Sequence, residues 1–110
     1  MIVRKYTFFF LFLLLVSGGC YKNEPLPAAD FSFAATNQFY IPSSVQFTNN
    51  SVNSFSWEWR FGDDSVSYAK DPVHLYRKPG KYEVYLRAYT ESTKEWASVI
   101  KVVTIKDTVK

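Results

Sequence analysis

Phe55-Ser56-Trp57-Glu58-Trp59-Arg60-Phe61-Gly62-Asp63-Asp64 is the stretch whose reading decides the fold. Phe55, Trp57, Trp59 and Phe61 alternate with Ser56, Glu58 and Arg60. Successive side chains of a β-strand point to opposite faces, so this period of two predicts a strand with one dry face and one wet face. A helix would scatter the same rings around its circumference. The run stops at Gly62-Asp63-Asp64, residue types that favour a turn. The expectation is that all four rings are core, at about 1.5–3 kcal/mol for each one fully buried.

Working outward, the rest of the chain supplies partners for that strand. Phe31 and Phe33 flank Ser32 in a short first strand. Val45 and Phe47 alternate with Gln46 and Thr48, and that strand ends in the polar turn Asn49–Asn53. Residues 65–71 read as irregular or as a short edge strand, and 72–76 as extended. Lys78-Pro79-Gly80 is a turn, in which Pro fixes φ and Gly is free to take positive φ. Tyr82, Val84, Leu86 and Ala88 then form a dry row, alternating with Glu83, Tyr85, Arg87 and Tyr89. After the loop Thr90–Lys94, residues 96–105 make a last strand of ambiguous face: Val102 and Val103 are adjacent, and Lys101 falls among apolar residues. Short strands separated by turns, with no 3.6-residue apolar repeat after residue 20, predict an all-β sandwich.

Composition bounds the function. The chain has 110 residues, enough for one domain, and is 47% hydrophobic and 19% aromatic, ample for a core. The formal charge is +3, but Arg4 and Lys5 belong to a segment expected to be removed. Without them 11 basic residues face 10 acidic ones, a balance of +1. No basic stripe is visible, so nucleic acid is not an expected partner. Cys20 is the sole cysteine and no internal disulfide can form.

Residues 1–19 read as a targeting segment: positive Arg4 and Lys5, the apolar run Phe8 to Val16, then Ser17, Gly18 and Gly19. The apolar run is shorter than the roughly 20 residues needed to span a bilayer. With Cys20 next, the segment resembles a bacterial lipoprotein signal, in which the cysteine becomes the lipidated N-terminus. It departs from that pattern at Ser17, where a Leu-like residue is usual. The alternative is an ordinary secretory signal followed by a free thiol. Residues 20–29, with Pro25 and Pro27, read as an extended tether. By resemblance to lipoprotein sorting rules, Tyr21 favours the outer membrane, and Lys22-Asn23-Glu24 resembles surface-export signals. The expected address is outside the inner membrane, at the outer membrane or cell surface, with the membrane as partner through the lipid.

Four motifs then occur in order: Phe47-Thr48-Asn49-Asn50-Ser51; Trp57-Glu58-Trp59-Arg60-Phe61-Gly62-Asp63; Pro72-Val73-His74-Leu75-Tyr76; and Pro79-Gly80-Lys81-Tyr82-Glu83-Val84-Tyr85-Leu86. Together they resemble the polycystic kidney disease (PKD) domain. The resemblance spans 28–106 and implies an immunoglobulin-like sandwich of about seven strands, placed here at 30–106. Its structural positions fall on Trp57, Trp59, Phe61, Gly62, Asp63, His74, Tyr76, Gly80 and Tyr82. The chain departs from it at Arg60, where Asp is usual, and at Asp64, where Gly is usual. Asp tolerates left-handed backbone better than most residues.

Few residues invite chemistry. His74 is the only histidine, and the expectation is a structural imidazole bonded to backbone near the Gly62-Asp63 turn. Tyr76 is expected to bury its ring and place its hydroxyl on a loop. No nucleophile–base pair, phosphate loop or metal cluster is visible, so no enzyme and no cofactor are expected. Asp63 and Asp64, with Asp71, Asn49 and Asn50, carry oxygens of the kind calcium takes; the alternative is turn capping by the same side chains. The wet faces of two neighbouring strands bring together Glu58, Arg60, Tyr85, Arg87 and Tyr89, an interface-like composition. That face is the candidate surface for a protein or glycan. The alternatives are register-fixing pairs, Glu58 and Arg60 opposite Arg87 and Glu83, with the loops 49–53 and 90–94 next in line to bind. A structural spacer or subunit of an envelope complex is the competing function.

Overall fold

The computed structural model describes residues 25–107. The signal segment 1–19, Cys20 and the first part of the tether lie outside the described residues. Seven strands follow in chain order: β1 (Phe31–Ala35), β2 (Ser43–Asn49), β3 (Ser56–Arg60), β4 (Val66–Ser67), β5 (Val73–Tyr76), β6 (Gly80–Tyr89) and β7 (Trp96–Ile105). They form a three-stranded sheet in the order β1-β2-β5 and a four-stranded sheet in the order β4-β3-β6-β7, antiparallel throughout. This is the two-sheet sandwich that the alternating pattern predicts.

The core lies where the inner rows meet. Phe31, Val45 and Phe47 come from one sheet; Trp59, Val84, Leu86, Val103 and Ile105 come from the other; Phe61 and Tyr76 close one end. Trp59 is fully buried between Phe31 and Phe47, with ring centroids 5.1 and 5.4 Å away. Its indole N–H donates to Ala69 O at 2.9 Å, so the polar edge of the ring is satisfied inside the protein.

The expected row of four core rings is corrected at its start. Phe55 is 63% exposed. Its amide donates to Tyr89 O at 2.7 Å, but the β3–β6 register begins only at Ser56↔Tyr89. Phe55 thus lies beyond the paired strand and faces a depression beside Pro25, Ser54 and Thr90. Trp57 is half-buried, with its indole N–H donating to Ser54 Oγ at 3.0 Å.

The ambiguous last strand has a definite face. Ala97, Val99, Lys101, Val103 and Ile105 point inward, whereas Trp96, Ser98, Ile100, Val102 and Thr104 point out. Lys101 fits the inner row because β7 is an edge strand. Its Nζ reaches Asp30 Oδ1 at 2.9 Å, donates to Phe31 O and lies 5.3 Å from the centre of the Phe31 ring. The aliphatic stem covers the margin of the core while the ammonium is paired. Hydrogen bonds from Lys101 and from the Phe31 amide hold the Asp30 carboxyl below its usual pKa.

Candidate functional site

Antiparallel pairing builds the outer face of the four-stranded sheet. The register sets Ser56 opposite Tyr89, Glu58 opposite Arg87 and Arg60 opposite Tyr85; across the other margin of β6, Tyr89 meets Trp96, Arg87 meets Ser98, Tyr85 meets Ile100 and Glu83 meets Val102. The five residues expected to share this face therefore do so. One expected pair is corrected: Arg60 faces Tyr85, not Glu83. Its guanidinium instead turns along its own strand to Glu58, with Nε and Nη2 at 2.9 and 2.8 Å from Oε2.

Arg87 is the centre of this face. Its Nε donates to Tyr85 Oη at 2.9 Å and its Nη1 to Tyr89 Oη at 3.3 Å. Its guanidinium carbon lies 4.2 Å from the centre of the Trp96 ring and 5.5 Å from that of Tyr85. The Tyr89 and Tyr85 hydroxyls raise its pKa above the ordinary arginine value. Tyr89 Oη in turn points to Glu58 Oε1 at 3.5 Å, the limit of a hydrogen bond. A planar cation is thus fixed in one orientation. Beside it Trp96, Ile100 and Val102 are 51%, 58% and 50% exposed. These three were not read from the sequence as part of the site. The signal was the hairpin itself: counting back across the 90–95 loop pairs Trp96 with Tyr89.

The Gly62–Ser65 turn has a different organisation. Gly62 takes φ +90° and Asp64 φ +73°, so the departure from Gly at 64 is absorbed by an aspartate in left-handed backbone. His74 is held by side chains and not, as expected, by backbone: Nε2 lies 2.7 Å from Asp63 Oδ2 and 3.1 Å from Ser65 Oγ. A carboxylate can only accept, so Nε2 carries the hydrogen. Ser65 donates both its amide, at 3.2 Å, and its hydroxyl to Asp63 Oδ1. The imidazole stacks on Phe61 at 4.3 Å and 5° and meets Tyr76 edge-on at 4.7 Å and 86°. Serine and aspartate converge on the same ring nitrogen, whereas an activated nucleophile needs them on opposite nitrogens. The geometry is that of a braced turn. Partial burial works to raise the Asp63 pKa, but the hydrogen bonds from Ser65 and His74 outweigh it, and the net shift is downward.

Four of the oxygens considered for calcium are engaged with the protein. Both Asp63 oxygens are taken as above, Asp71 Oδ1 accepts from the Asn49 amide at 2.8 Å, and Asn49 Oδ1 accepts from the Ser51 amide at 3.0 Å. Asp64 is exposed at the tip of its turn. Among the described residues no group of three or more His, Cys, Asp or Glu side chains is placed to hold a metal ion. The remaining motif positions serve the fold: Tyr82 packs on Tyr76 at 4.4 Å and donates to Lys78 O at 2.7 Å across the turn that ends at Gly80.

Known proteins share this architecture. The first PKD domain of the Vibrio cholerae metalloprotease PrtV aligns with a TM-score of 0.64 at 24% identity, covering 76% of this chain and 100% of that one. The first PKD domain of Vibrio anguillarum Epp gives 0.65 at 21% identity, over 78% and 100%. A protein from a study of carbohydrate-binding modules of the β-sandwich superfamily gives 0.70 at 20% identity, over 78% of this chain and 36% of that one. At these identities the likeness is one of fold. No curated protein sequence matches the chain. The PKD domain family model matches residues 22–105, so that the sandwich, its braced His74 turn and its Trp59 core are those of a chain that belongs to the PKD domain family.

Proposed function

We propose that this chain is a lipid-anchored module, exported across the inner membrane, that binds a protein partner through the outer face of β3, β6 and β7. The observation that carries the reading is the fixed Arg87. It is held by the Tyr85 and Tyr89 hydroxyls and stacked on Trp96, and it stands beside exposed Ile100 and Val102. Aromatic residues and arginine at the centre of a patch, with aliphatic side chains alongside, are what protein interfaces favour. A glycan is the less favoured ligand, because both tyrosine hydroxyls are already engaged and Ile100 and Val102 offer no donors. PKD domains are usually extracellular, in keeping with export. The anchoring half of the reading rests on the order of charged, apolar and small residues before Cys20.

Two measurements test the two halves. Intact mass of the protein from the membrane fraction should show a diacylglyceryl group at Cys20; a soluble product with a free thiol would end the anchoring reading. Replacing Tyr85 and Tyr89 by Ser should leave the melting curve in place and weaken retention of envelope proteins by about 1–3 kcal/mol. Unchanged retention of protein partners would leave a spacer as the better description. Loss of glycan-array signal alone would make the ligand a sugar.

A further inference from the structure

The end of the sandwich that receives the tether carries three apolar side chains that the core does not use. Leu26, Val52 and Phe55 are 71%, 53% and 63% exposed, and none belongs to the buried cluster. The chain's own pairing gathers them. Ala28 and Val52 exchange backbone hydrogen bonds at 3.1 and 2.9 Å, Asn53 Nδ2 donates to Leu26 O at 3.0 Å, and the Phe55 amide is fixed to Tyr89 O. A shallow depression of about 270 Å³ lies beside Phe55, between Pro25 and the loop that starts at Thr90.

Cys20 is five residues before Pro25. Five residues reach at most about 18 Å, however they are arranged. The opposite end of the domain, at Gly80, lies one ten-residue strand away, about 30 Å. A lipid on Cys20 therefore delivers the Leu26, Val52 and Phe55 end to the bilayer surface first.

We propose that Leu26, Val52 and Phe55 form a lipid-contacting tip that seats this end of the domain in the bilayer interface. The proposal rests on the anchoring reading given above. Aromatic and aliphatic side chains partition favourably into the headgroup boundary. Glu91, Lys94 and Glu95 on the neighbouring loop carry mixed charge, so the contact is apolar and not electrostatic. Three side chains are too few to hold a protein on a membrane by themselves. The tether makes the contact intramolecular and supplies the local concentration. With the tip seated, the strands stand upright and the Arg87 face looks sideways along the membrane, towards other envelope proteins.

Amide hydrogen exchange on the anchored protein tests this. The native protein, extracted from membranes, is reconstituted in vesicles of phosphatidylethanolamine and phosphatidylglycerol. In parallel, residues 20–110 are coupled through the Cys20 thiol to a maleimide lipid in the same vesicles, which supplies an anchor whether or not the cell does. Exchange in residues 50–55 and 90–95 should slow by about tenfold relative to the chain free in solution, with residues 62–65 and 78–81 unchanged. Replacing Leu26 and Phe55 by Ser should abolish the slowing while the anchor stays in place. Unchanged exchange in 50–55 and 90–95 of the coupled chain would overturn the tip alone. A native protein without diacylglycerol would overturn the anchoring reading and the proposal with it, whatever the coupled chain shows.

Discussion

The Tyr76 hydroxyl donates a 2.8 Å hydrogen bond to the carbonyl of Phe61, and the bond is buried. Tyr76 ends β5 in one sheet, and Phe61 directly follows β3 in the other. One side chain thus ties the two layers together at the end where the core closes. Burial, with the nearby Asp63 and Tyr82 adding to it, pushes the phenol far above its usual pKa, so the group stays a donor at any working pH. Tyr76→Phe should keep the ring and lose about 1–3 kcal/mol, because a buried carbonyl is left without its donor. Urea denaturation checks this; a loss under about 0.5 kcal/mol would show that the carbonyl finds another partner.

Trp59 and Phe55 should behave as opposites, although they belong to one alternating row. Trp59→Ala removes a fully buried ring and should cost about 3–5 kcal/mol, a large fraction of the stability of a domain this size. Phe55→Ser changes an exposed side chain and should stay within about 0.5 kcal/mol. Thermal melts of both variants decide the matter. Equal losses would mean that the Phe55 end packs more tightly than its exposure implies.

Gly62 should resist substitution for two reasons. It sits at φ +90°, and a Cβ there would meet Glu83 O at 3.0 Å and Tyr82 Cβ at 3.1 Å. Both contacts involve β6, which cannot yield without disturbing its pairing on either side. Gly62→Ala should cost about 1–3 kcal/mol. Chemical denaturation should show it, and a neutral result would mean that the turn has room to shift.

The Asp63 brace makes a pH prediction. The folded state lowers this carboxyl's pKa relative to the unfolded chain. Its contribution is therefore present above the unfolded value, about 4, and is lost as pH falls through the lower folded value. Part of the group is exposed, so the effect is modest. Melting temperatures measured from pH 6 down to pH 2 should fall less steeply in Asp63→Asn than in the parent. Parallel curves would show that other carboxylates, Asp30 among them, govern the acid limb.

Where side chains alternate on both sides of a paired strand, the sequence was a sufficient guide. β6 is the clearest case, with Val84, Leu86 and Ala88 buried and Tyr85, Arg87 and Tyr89 brought together on the other side. The family motifs likewise located the turn at Gly62 and the Tyr76 anchor. Alternation failed where pairing stops, as at Phe55, since a period of two says nothing about where the facing sheet ends. It was silent on β7, because an edge strand can turn a lysine inward if a carboxylate waits across the sandwich, and Asp30 is 71 residues away in sequence. The partners of His74 were hidden for a related reason. Ser65 has no special look, and only the left-handed turn at Asp64 brings its hydroxyl to the imidazole.

Lys101 places a charge on the open margin of the four-stranded sheet. β7 offers ten residues along an open margin, of the kind onto which another strand adds by backbone pairing alone. A strand seated there would have to cover the Lys101–Asp30 pair, at a cost in desolvation, or part it, which leaves each charge without its partner. Charged side chains on an edge strand are a general device against strand-to-strand pairing. An inward lysine thus guards the open margin without breaking the alternation that builds the core.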